Sequence, residues 1–434
     1  MTEWRGCPFD FAQGRLPPVK TPAVRPANRE PCELLYYGFL PRFLSGMAEL
    51  IWDGKYDVHG NKRAPVRIEL PFQTVETVNE SAQERQRTLE LSSSGHDPEW
   101  RNHLIWGDKK YVLPSLLPEF AGKVDLIYID PPFDTGADFS FTTMLPESDE
   151  ALAKEPSVLE QKAYRDTWSK GLDSYLPWFY QTVVLLREFL SDSGTLYVHL
   201  DWHVGHYARA VLEEVFGSDN FVNDVTWYYY NKFAPESKCF PRASDRIMVY
   251  AKSFGNHVFN KQEETRDVAV KQLKRKFIGG KAINVRDENG VVQYQEKTTR
   301  RVDDVWRISM LQPADREENL RFPTQKPERL LDRVIRASTN ERNLVLDCFC
   351  GSGTTAAVAE KLNRRWIACD LGRFAIHTTR KRLLGIPRSK AVCCPEPRQI
   401  RAPGMAGGRV RNVPRRGGRP RPPGGAKLRS NCSW

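Results

Sequence analysis

The stretch that decides the fold is Val124-Asp-Leu-Ile-Tyr-Ile-Asp130-Pro-Pro-Phe133. Its apolar residues do not alternate with polar ones, which predicts a strand buried on both faces of a parallel sheet. Pro131 and Pro132 cannot donate ladder hydrogen bonds, so we expect the strand to end at Asp130. The carboxylate would then lie at the carboxyl edge of the sheet, where α/β folds bind ligands, next to the flat ring of Phe133. Taken alone, the same residues also fit a tight turn that caps a helix.

A second pattern lies far downstream. A predicted strand, Leu344–Asp347, leads into Cys348-Phe-Cys-Gly-Ser-Gly-Thr-Thr355 and a helix, and the next predicted strand ends at Asp370. Glycines in such a turn let a ligand approach the backbone, and the helix N-terminus favours a carboxylate or phosphate. An acid about 20 residues further on can hold ribose hydroxyls. The chain has no Gly-Lys-Ser/Thr here, which excludes a P-loop. A nicotinamide-binding fold uses the same mechanics, but this chain lacks the third glycine of that motif.

Strands and helices alternate along the chain before, between and after these two patterns. The further predicted strands are His103–Trp106, Gly194–Leu200, Asp245–Ala251 and Trp366–Asp370, and the predicted helices include Leu176–Leu190, His206–Phe216, Glu328–Ser338 and Phe374–Leu384. This alternation predicts an α/β fold with a doubly wound parallel sheet.

Composition places limits on the function. The net charge of +11 comes from the C-terminal tail, because residues 388–434 contain twelve Lys or Arg and one Glu. Any nucleic acid would therefore be bound by a local basic face. No apolar stretch approaches the roughly 20 residues of a membrane helix, and the N-terminus does not resemble a secretory signal. The cysteines form neither a zinc pattern nor a disulfide pattern, so we expect a cytoplasmic protein that does not act at a membrane.

Changes in composition suggest how the chain is divided. The predicted segments are a disordered head (1–31), an N-terminal region without an assigned role (32–100), two halves of one α/β domain (101–251 and 321–387), an insert between them (252–320) and a disordered basic tail (388–434). The head and the tail are rich in Pro, Gly and Arg and contain too few apolar residues to fold.

Aromatic residues and cations alternate before and within the insert. The candidate nucleic-acid contacts are Arg242, Lys271, Lys274, Arg275 and Lys276. Lys271–Lys276 also fits the solvated face of a helix, and phosphate contact is the alternative. A metal cluster at His199, Asp201, His203 and His206 is the weaker interpretation, because a strand-to-helix boundary explains these residues; we predict no metal site.

Together these motifs resemble the amino-group DNA methyltransferases that use S-adenosylmethionine, in their β arrangement. In that arrangement an Asp-Pro-Pro-aromatic motif precedes the Phe-x-Gly-x-Gly motif, and here Asp130–Phe133 precedes Phe349–Gly353. Leu104–Asp108 and Thr324–Pro327 also look like the family's flanking motifs. The likeness covers about residues 101–384 and is strongest to the modification subunits of type III restriction systems.

The resemblance implies a Rossmann-like, seven-stranded methyltransferase sheet in circular order, with the catalytic motif before the cofactor motif and a target-recognition segment inserted between them. It places Leu344–Asp347 beside Leu126–Asp130. The residues that it assigns to S-adenosylmethionine are Phe349, Gly351 and Gly353 beside the methionine part, with Asp347 and Thr354 near them, Asp370 on the ribose, Asp108 near the adenine edge and Lys326 near the methionine carboxylate.

The implied chemistry concerns an exocyclic amino group, whose lone pair is delocalised into the ring. Hydrogen bonds to Asp130 and the Pro131 carbonyl would favour a tetrahedral nitrogen, Pro132 would stiffen the turn, and Phe133 would stack on a base flipped out of double-stranded DNA. A ring-carbon methyltransferase needs a nucleophilic Cys after Pro near the slot. The one such pair, Pro31-Cys32, lies in the head, so this type of methyltransferase is excluded.

We therefore expect methyl transfer to N6 of adenine in DNA. Three alternatives stay open: transfer to N4 of cytosine, transfer to a protein or RNA amide, and a DNA-binding specificity module without catalysis. A restriction subunit and a second copy of the chain are compatible partners.

Overall fold

The apolar run from Val124 to Ile129 forms a central strand of a ten-stranded mixed sheet in the computed structural model. The structure describes residues 49–79, 100–132, 141–144, 151–154, 171–232, 238–387, 389 and 392–397. The predictions for the head, for Phe133 and for residues 398–434 lie outside these ranges.

The described chain contains sixteen strands and six α-helices. The strands are β1 (Phe72–Val78), β2 (Asn102–Trp106), β3 (Val124–Ile129), β4 (Phe141–Met144), β5 (Ala151–Lys154), β6 (Leu190–Leu200), β7 (Phe221–Tyr228), β8 (Ser244–Ala251), β9 (Glu263–Leu273), β10 (Arg275–Ile278), β11 (Lys281–Asn284), β12 (Tyr294–Arg301), β13 (Val305–Arg307), β14 (Leu344–Asp347), β15 (Arg365–Asp370) and β16 (Val392–Pro397). The helices are α1 (Lys109–Phe120), α2 (Leu172–Phe189), α3 (Gly205–Phe216), α4 (Glu328–Ser338), α5 (Thr354–Lys361) and α6 (Arg373–Leu384). None of these helices is long and apolar enough to cross a membrane.

The main sheet has the order β1-β16-β2-β15-β14-β3-β6-β8-β7-β13. Its strands from β16 to β6 are mutually parallel. The prediction of a parallel sheet is wrong at β8, which runs antiparallel to both β6 and β7, and at β1, which runs antiparallel to β16. The described residues between β7 and β8, 229–232 and 238–243, form no helix, whereas parallel neighbours are usually joined through a crossover helix.

Helices cover both faces of the sheet, so the doubly wound architecture is confirmed for the described chain. On one face, α1, α2 and α3 bury residues such as Val112, Phe179 and Leu212. On the other face, α4, α5 and α6 bury residues such as Leu331 and Val358. Burial of one such side chain stabilises the fold by about 1.5–3 kcal/mol. A strand between two helical layers has no solvent face, which explains why β3 shows no polar alternation.

A partly buried hydrogen bond joins the two neighbouring strands at the centre of the sheet. β14 pairs in parallel with β3, with Val345 opposite Leu126. The Asp125 carboxylate accepts a hydrogen bond from the backbone N–H of Leu344 at 2.8 Å, at the start of both strands. The expected neighbourhood of the two sequence motifs is therefore confirmed.

The segment after residue 388 differs from the prediction. We expected no ordered structure from residue 388 onward, and this is wrong for Val392–Pro397, which form β16 between β1 and β2. Val392 and Cys394 are buried. The strand is held by a partner more than three hundred positions earlier, Phe72–Val78, which local composition cannot indicate.

Residues 263–301 form an extended structure that we call the arm. β9 pairs with β12, and β10 with β11 across a turn at Gly279 and Gly280, both with positive φ. All eight residues of β10 and β11 are exposed. The helical interpretation of Lys271–Lys276 is wrong, because these residues lie on β9, on β10 and at the single residue between them, Lys274.

The base of the arm is attached to helix α4. The Glu264 carboxylate forms salt bridges with Arg300 of the arm at 2.5 Å and with Arg333 of α4 at 2.9 Å. Beyond the arm, β13 returns to the main sheet and pairs with β7.

A buried lysine attaches the segment before β1 to helix α3, and this attachment gives a stability prediction. The fully buried side chain of Lys55 contacts Glu49 and Glu214 at 2.6 Å each, whereas Lys62 binds the same two acids from an exposed position. We expect Lys55→Met to lower the free energy of unfolding by about 3 kcal/mol, because it leaves two carboxylates short of a buried partner. Lys62→Met is the matched control and should cost less than about 1 kcal/mol. Urea denaturation of both variants measures the difference, and equal destabilisation would contradict the assignment.

Candidate active site

Four adjacent strands of the sheet each lead to an acid at the same edge. Asp130 follows β3, Asp347 ends β14, Asp370 ends β15 and Asp108 follows β2. Because these strands are parallel neighbours, their carboxyl ends meet at one side of the sheet. The structure thus brings the Asp-Pro-Pro turn and the Gly-rich turn together at the edge where α/β folds bind ligands.

Asp130 lies directly after the last residue of β3, as expected. Its carboxylate is 18% exposed and accepts a hydrogen bond from the ammonium of Lys326, which is 14% exposed. Pro131 is buried behind it. Lys326 was expected near a cofactor carboxylate, and the structure instead places its Nζ on the Asp130 carboxylate.

The Gly-rich turn depends on two glycines in the left-handed conformation. Gly351 has φ +50° and Gly353 has φ +73°, a region that L side chains rarely adopt. A Cβ on Gly353 would also clash with the side chain of Thr379 on α6, so the turn and this helix can approach only at a glycine. Helix α5 begins at the next residue and has no acid in its first turn. Its positive N-terminal end therefore remains suited to an anion.

Two of the edge acids hold the loops around them. Asp370 accepts hydrogen bonds from the backbone N–H groups of Gly351 at 2.9 Å and Gly372 at 2.7 Å. Asp108 caps helix α1 by accepting from the N–H of Lys110 at 2.9 Å. These hydrogen bonds fix the loops that would surround a nucleoside, and the predicted interactions of these acids with a ligand stay predictions.

Asp347 lies beneath the Gly-rich turn and is only 3% exposed. Its carboxylate accepts from the backbone N–H of Phe349 at 2.9 Å. Burial raises the pKa of Asp347 to about 7, and the neighbouring charges of Asp130 and Asp370 act in the same direction.

A lysine that the sequence motifs did not single out lies near the rings of Trp178 and Phe349. Lys109 Nζ lies 4.2 Å from the Trp178 ring and 5.8 Å from the Phe349 ring, and it donates to Thr182 at 2.7 Å. Burial lowers the pKa of Lys109 to about 8. Nothing in the local pattern distinguishes this lysine from its neighbour Lys110.

A buried polar chain behind Asp130 also escaped the sequence motifs. The hydroxyl of Tyr128 lies 2.8 Å from Nδ1 of His199, and Nε2 of His199 lies 3.2 Å from Asp245, which also accepts from Tyr229 at 3.1 Å. Burial raises the pKa of Tyr128 well above its ordinary value. The one sequence signal that could have indicated this chain of polar groups is His199, a histidine inside an apolar strand. Among the described residues, no group of His, Cys, Asp and Glu is arranged to hold a metal ion.

The candidate DNA-binding residues lie on two separate elements. The guanidinium of Arg242 stacks at 4.1 Å on the ring of Trp202, which is half exposed and follows β6. Lys271 lies on β9, and Lys274, Arg275 and Lys276 lie at and after the junction of β9 with β10.

The raised pKa of Asp347 predicts a pH dependence of stability. Between about pH 4 and 7 the folded state holds a proton that the unfolded state has released, so stability falls as pH rises through this window, by up to about 1.4 kcal/mol per pH unit. Asp347→Asn removes the titrating group, and the stability of this variant relative to the parent should increase over the same window. Asp332→Asn, at an exposed position, is the control and should run parallel to the parent. Urea denaturation from pH 4.5 to 7.5 measures the slopes, and parallel curves for Asp347→Asn would contradict the burial effect.

Comparison with known proteins identifies the family of the chain. The profile of a DNA methylase family, the N6/N4 methyltransferases, matches residues 124–381. The type II methyltransferase M.EcaI of Enterobacter cloacae is 25% identical over 331 residues, which cover 65% of this chain and 69% of that protein. The StyLTI Mod subunit, a type III restriction-modification enzyme of Salmonella typhimurium, is 24% identical over 64% of this chain and 53% of its own length. The DNA adenine methyltransferase YhdJ of Escherichia coli is 25% identical over 64% of this chain and 82% of its own length.

The family profile covers more than half of the chain and spans both motifs, from β3 with Asp130 to the Gly-rich turn and helix α6. The chain belongs to the N6/N4 family of DNA methylases.

Proposed function

We propose that the protein is a site-specific DNA methyltransferase that moves a methyl group from S-adenosylmethionine to N6 of adenine after flipping the base out of the duplex. The observation that carries the proposal is the parallel pairing of β3 with β14, which puts Asp130 and the Gly-rich turn at one edge of the sheet. A methyl donor and an amino acceptor must be close and aligned, and this pairing supports that arrangement.

The residues at this edge fit the chemistry of S-adenosylmethionine, which supplies an electrophilic methyl group on a sulfonium. Gly351 and Gly353 let the backbone approach the methionine part, and the N-terminus of α5 suits its carboxylate. The acids at the strand ends suit the nucleoside and the positive charge. The proposed cofactor-binding residues are Asp108, Lys326, Asp347, Phe349, Gly351, Gly353, Thr354 and Asp370.

Asp130 and its turn act on the acceptor. Hydrogen bonds from the amino group to the Asp130 carboxylate and the Pro131 carbonyl favour a tetrahedral nitrogen, on which the lone pair becomes available for attack. Pro131 and Pro132 keep this turn rigid, because their rings restrict the backbone. Phe133 is proposed to stack on the base.

Adenine is preferred over cytosine on two grounds. The turn has Asp rather than Ser before its two prolines, which favours adenine by analogy with the family, and the relative YhdJ is named an adenine methyltransferase. Transfer to N4 of cytosine needs the same slot and is the second candidate, since the family includes both reactions.

The sheet supports the proposed domain organisation. Within the ten-stranded sheet, the seven neighbouring strands β2-β15-β14-β3-β6-β8-β7 are proposed as the Rossmann-like methyltransferase core. The halves are residues 101–251 and 321–387, and their circular order follows from β3 preceding β14 in the chain. The segment 252–320 is proposed as the target-recognition insert.

The arm of that insert suits the DNA backbone. Residues 271–286 contain six Lys or Arg and no acid, and β10 and β11 are exposed along their whole length. Two-stranded ribbons can enter a DNA groove, and cations alongside them neutralise phosphates. By analogy with the StyLTI Mod subunit, a restriction subunit is a proposed partner.

The function is tested by sequencing modified bases in DNA from cells that express the chain. We expect methylated adenine at one short sequence motif in cells with the parent protein, and none in cells with Asp130→Ala. The purified variant should still bind S-adenosylmethionine by calorimetry, because Asp130 lies on the acceptor side. Methylated cytosine in place of adenine would select the second candidate, whereas abolished cofactor binding would mean that Asp130 is misplaced.

The arm is tested by removing its charge. Lys274, Arg275 and Lys276 are changed together to Gln, and we expect weaker DNA binding with a shallower salt dependence. The slope should fall by about 0.9 for each phosphate that the variant no longer neutralises, as measured by fluorescence anisotropy at several salt concentrations. A variant with Lys and Arg exchanged at the same three positions keeps the charge and should retain most of the affinity. An unchanged slope in the Gln variant would count against the arm as the DNA-binding element.

A further inference from the structure

Lys326 contacts both halves of the site. Its backbone carbonyl accepts a hydrogen bond from the hydroxyl of Thr354 at 3.1 Å, at the first residue of α5 and directly after Gly353. Its ammonium donates to the Asp130 carboxylate. One residue therefore joins the proposed cofactor turn to the proposed catalytic acid.

The ammonium and an amino group on a base are donors for the same carboxylate. Lys326 binds Oδ2 of Asp130, and both side chains are mostly buried, so their attraction is only weakly screened by water. Lys326 occupies one oxygen, and its positive charge weakens the carboxylate as an acceptor, so a base would bind Asp130 more strongly once this cation has moved aside. Moving a mostly buried ammonium away from its partner is costly unless another anion receives it.

The anion that could receive Lys326 follows from its attachment. The backbone of Lys326 is tied to the N-terminus of α5, where the cofactor carboxylate is proposed to bind, so a small change of side-chain torsions could bring the ammonium from one carboxylate to the other. Asp245 also interacts with the Lys326 charge, and it already has partners in His199 and Tyr229.

We propose that Lys326 couples the two sites: a cofactor carboxylate draws its ammonium away from Asp130 and thereby opens Asp130 to the amino group of the target base. This inference rests on the proposed function and makes Lys326 a positioning residue. The coupling is reciprocal, so a bound base also strengthens cofactor binding through the same lysine.

The test compares two target bases with and without a cofactor analogue. Duplexes carry either adenine or purine, which lacks the amino group, at the methylated position, and the full chain is titrated with each in the presence or absence of S-adenosylhomocysteine. The adenine-to-purine affinity ratio reports the interaction of the amino group with Asp130. The change of this ratio on adding S-adenosylhomocysteine cancels differences in base pairing between the duplexes.

For the parent we expect S-adenosylhomocysteine to raise the ratio by about 5-fold or more, the lower end of common allosteric couplings. Lys326→Met and Lys326→Gln remove the ammonium, so the ratio should already be high without the analogue and change by less than about twofold. Lys326→Arg keeps a cation and should restore the dependence. Lys361→Met is the matched control, because Lys361 pairs with Glu328 away from Asp130, and it should behave as the parent.

A ratio in Lys326→Met and Lys326→Gln that still rises with the analogue as in the parent would overturn the coupling. So would a parent ratio that does not respond to the analogue. Failure of the proposed function is distinguishable, because in that case the parent protein would methylate no adenine and would not discriminate adenine from purine under any condition.

Discussion

The parallel pairing of β3 with β14 is the interaction on which the rest of the site depends. It joins two halves of the chain whose paired positions, Leu126 and Val345, are far apart in sequence, and Asp125 ties the starts of both strands together. A shift of β14 by one residue against β3 would turn the side chains of β14, including Asp347, to the opposite face. Asp130 and Asp347 share an edge because this register is specified by apolar packing on both faces and by one partly buried hydrogen bond.

Much of this architecture could be predicted from the sequence because its signals are local. Apolar runs that end in an acid or a glycine turn gave the positions of the central strands, and the helix Glu328–Ser338 and the strand Leu344–Asp347 were predicted with the bounds that the structure shows. The outer strands could not be predicted in this way. Val392–Pro397 contains two prolines and follows a basic stretch, and it is ordered only because β1 and β2 flank it.

Side-chain interactions inside the site were harder to predict for a similar reason. The motif that contains Lys326 indicated a cofactor, yet its ammonium lies on Asp130, which is 196 positions away. His199 was considered as a metal ligand, but it lies between a tyrosine and an aspartate that come from neighbouring strands. In the arm, strands such as Tyr294–Arg301 are exposed and polar along most of their length, so periodicity gives no signal, and only the pairing partner shows that they are strands.

The distance along the chain between the two central strands also affects how the protein is made. The paired positions 126 and 345 are 219 residues apart, and a ribosome that adds about 5–20 residues per second needs on the order of 10–40 s to cover this distance. During that time one side of β3 has no partner, although its residues are almost entirely apolar. An unpaired apolar strand edge is prone to aggregation. The nascent chain is thus expected to need protection by chaperones until β14 has left the ribosome.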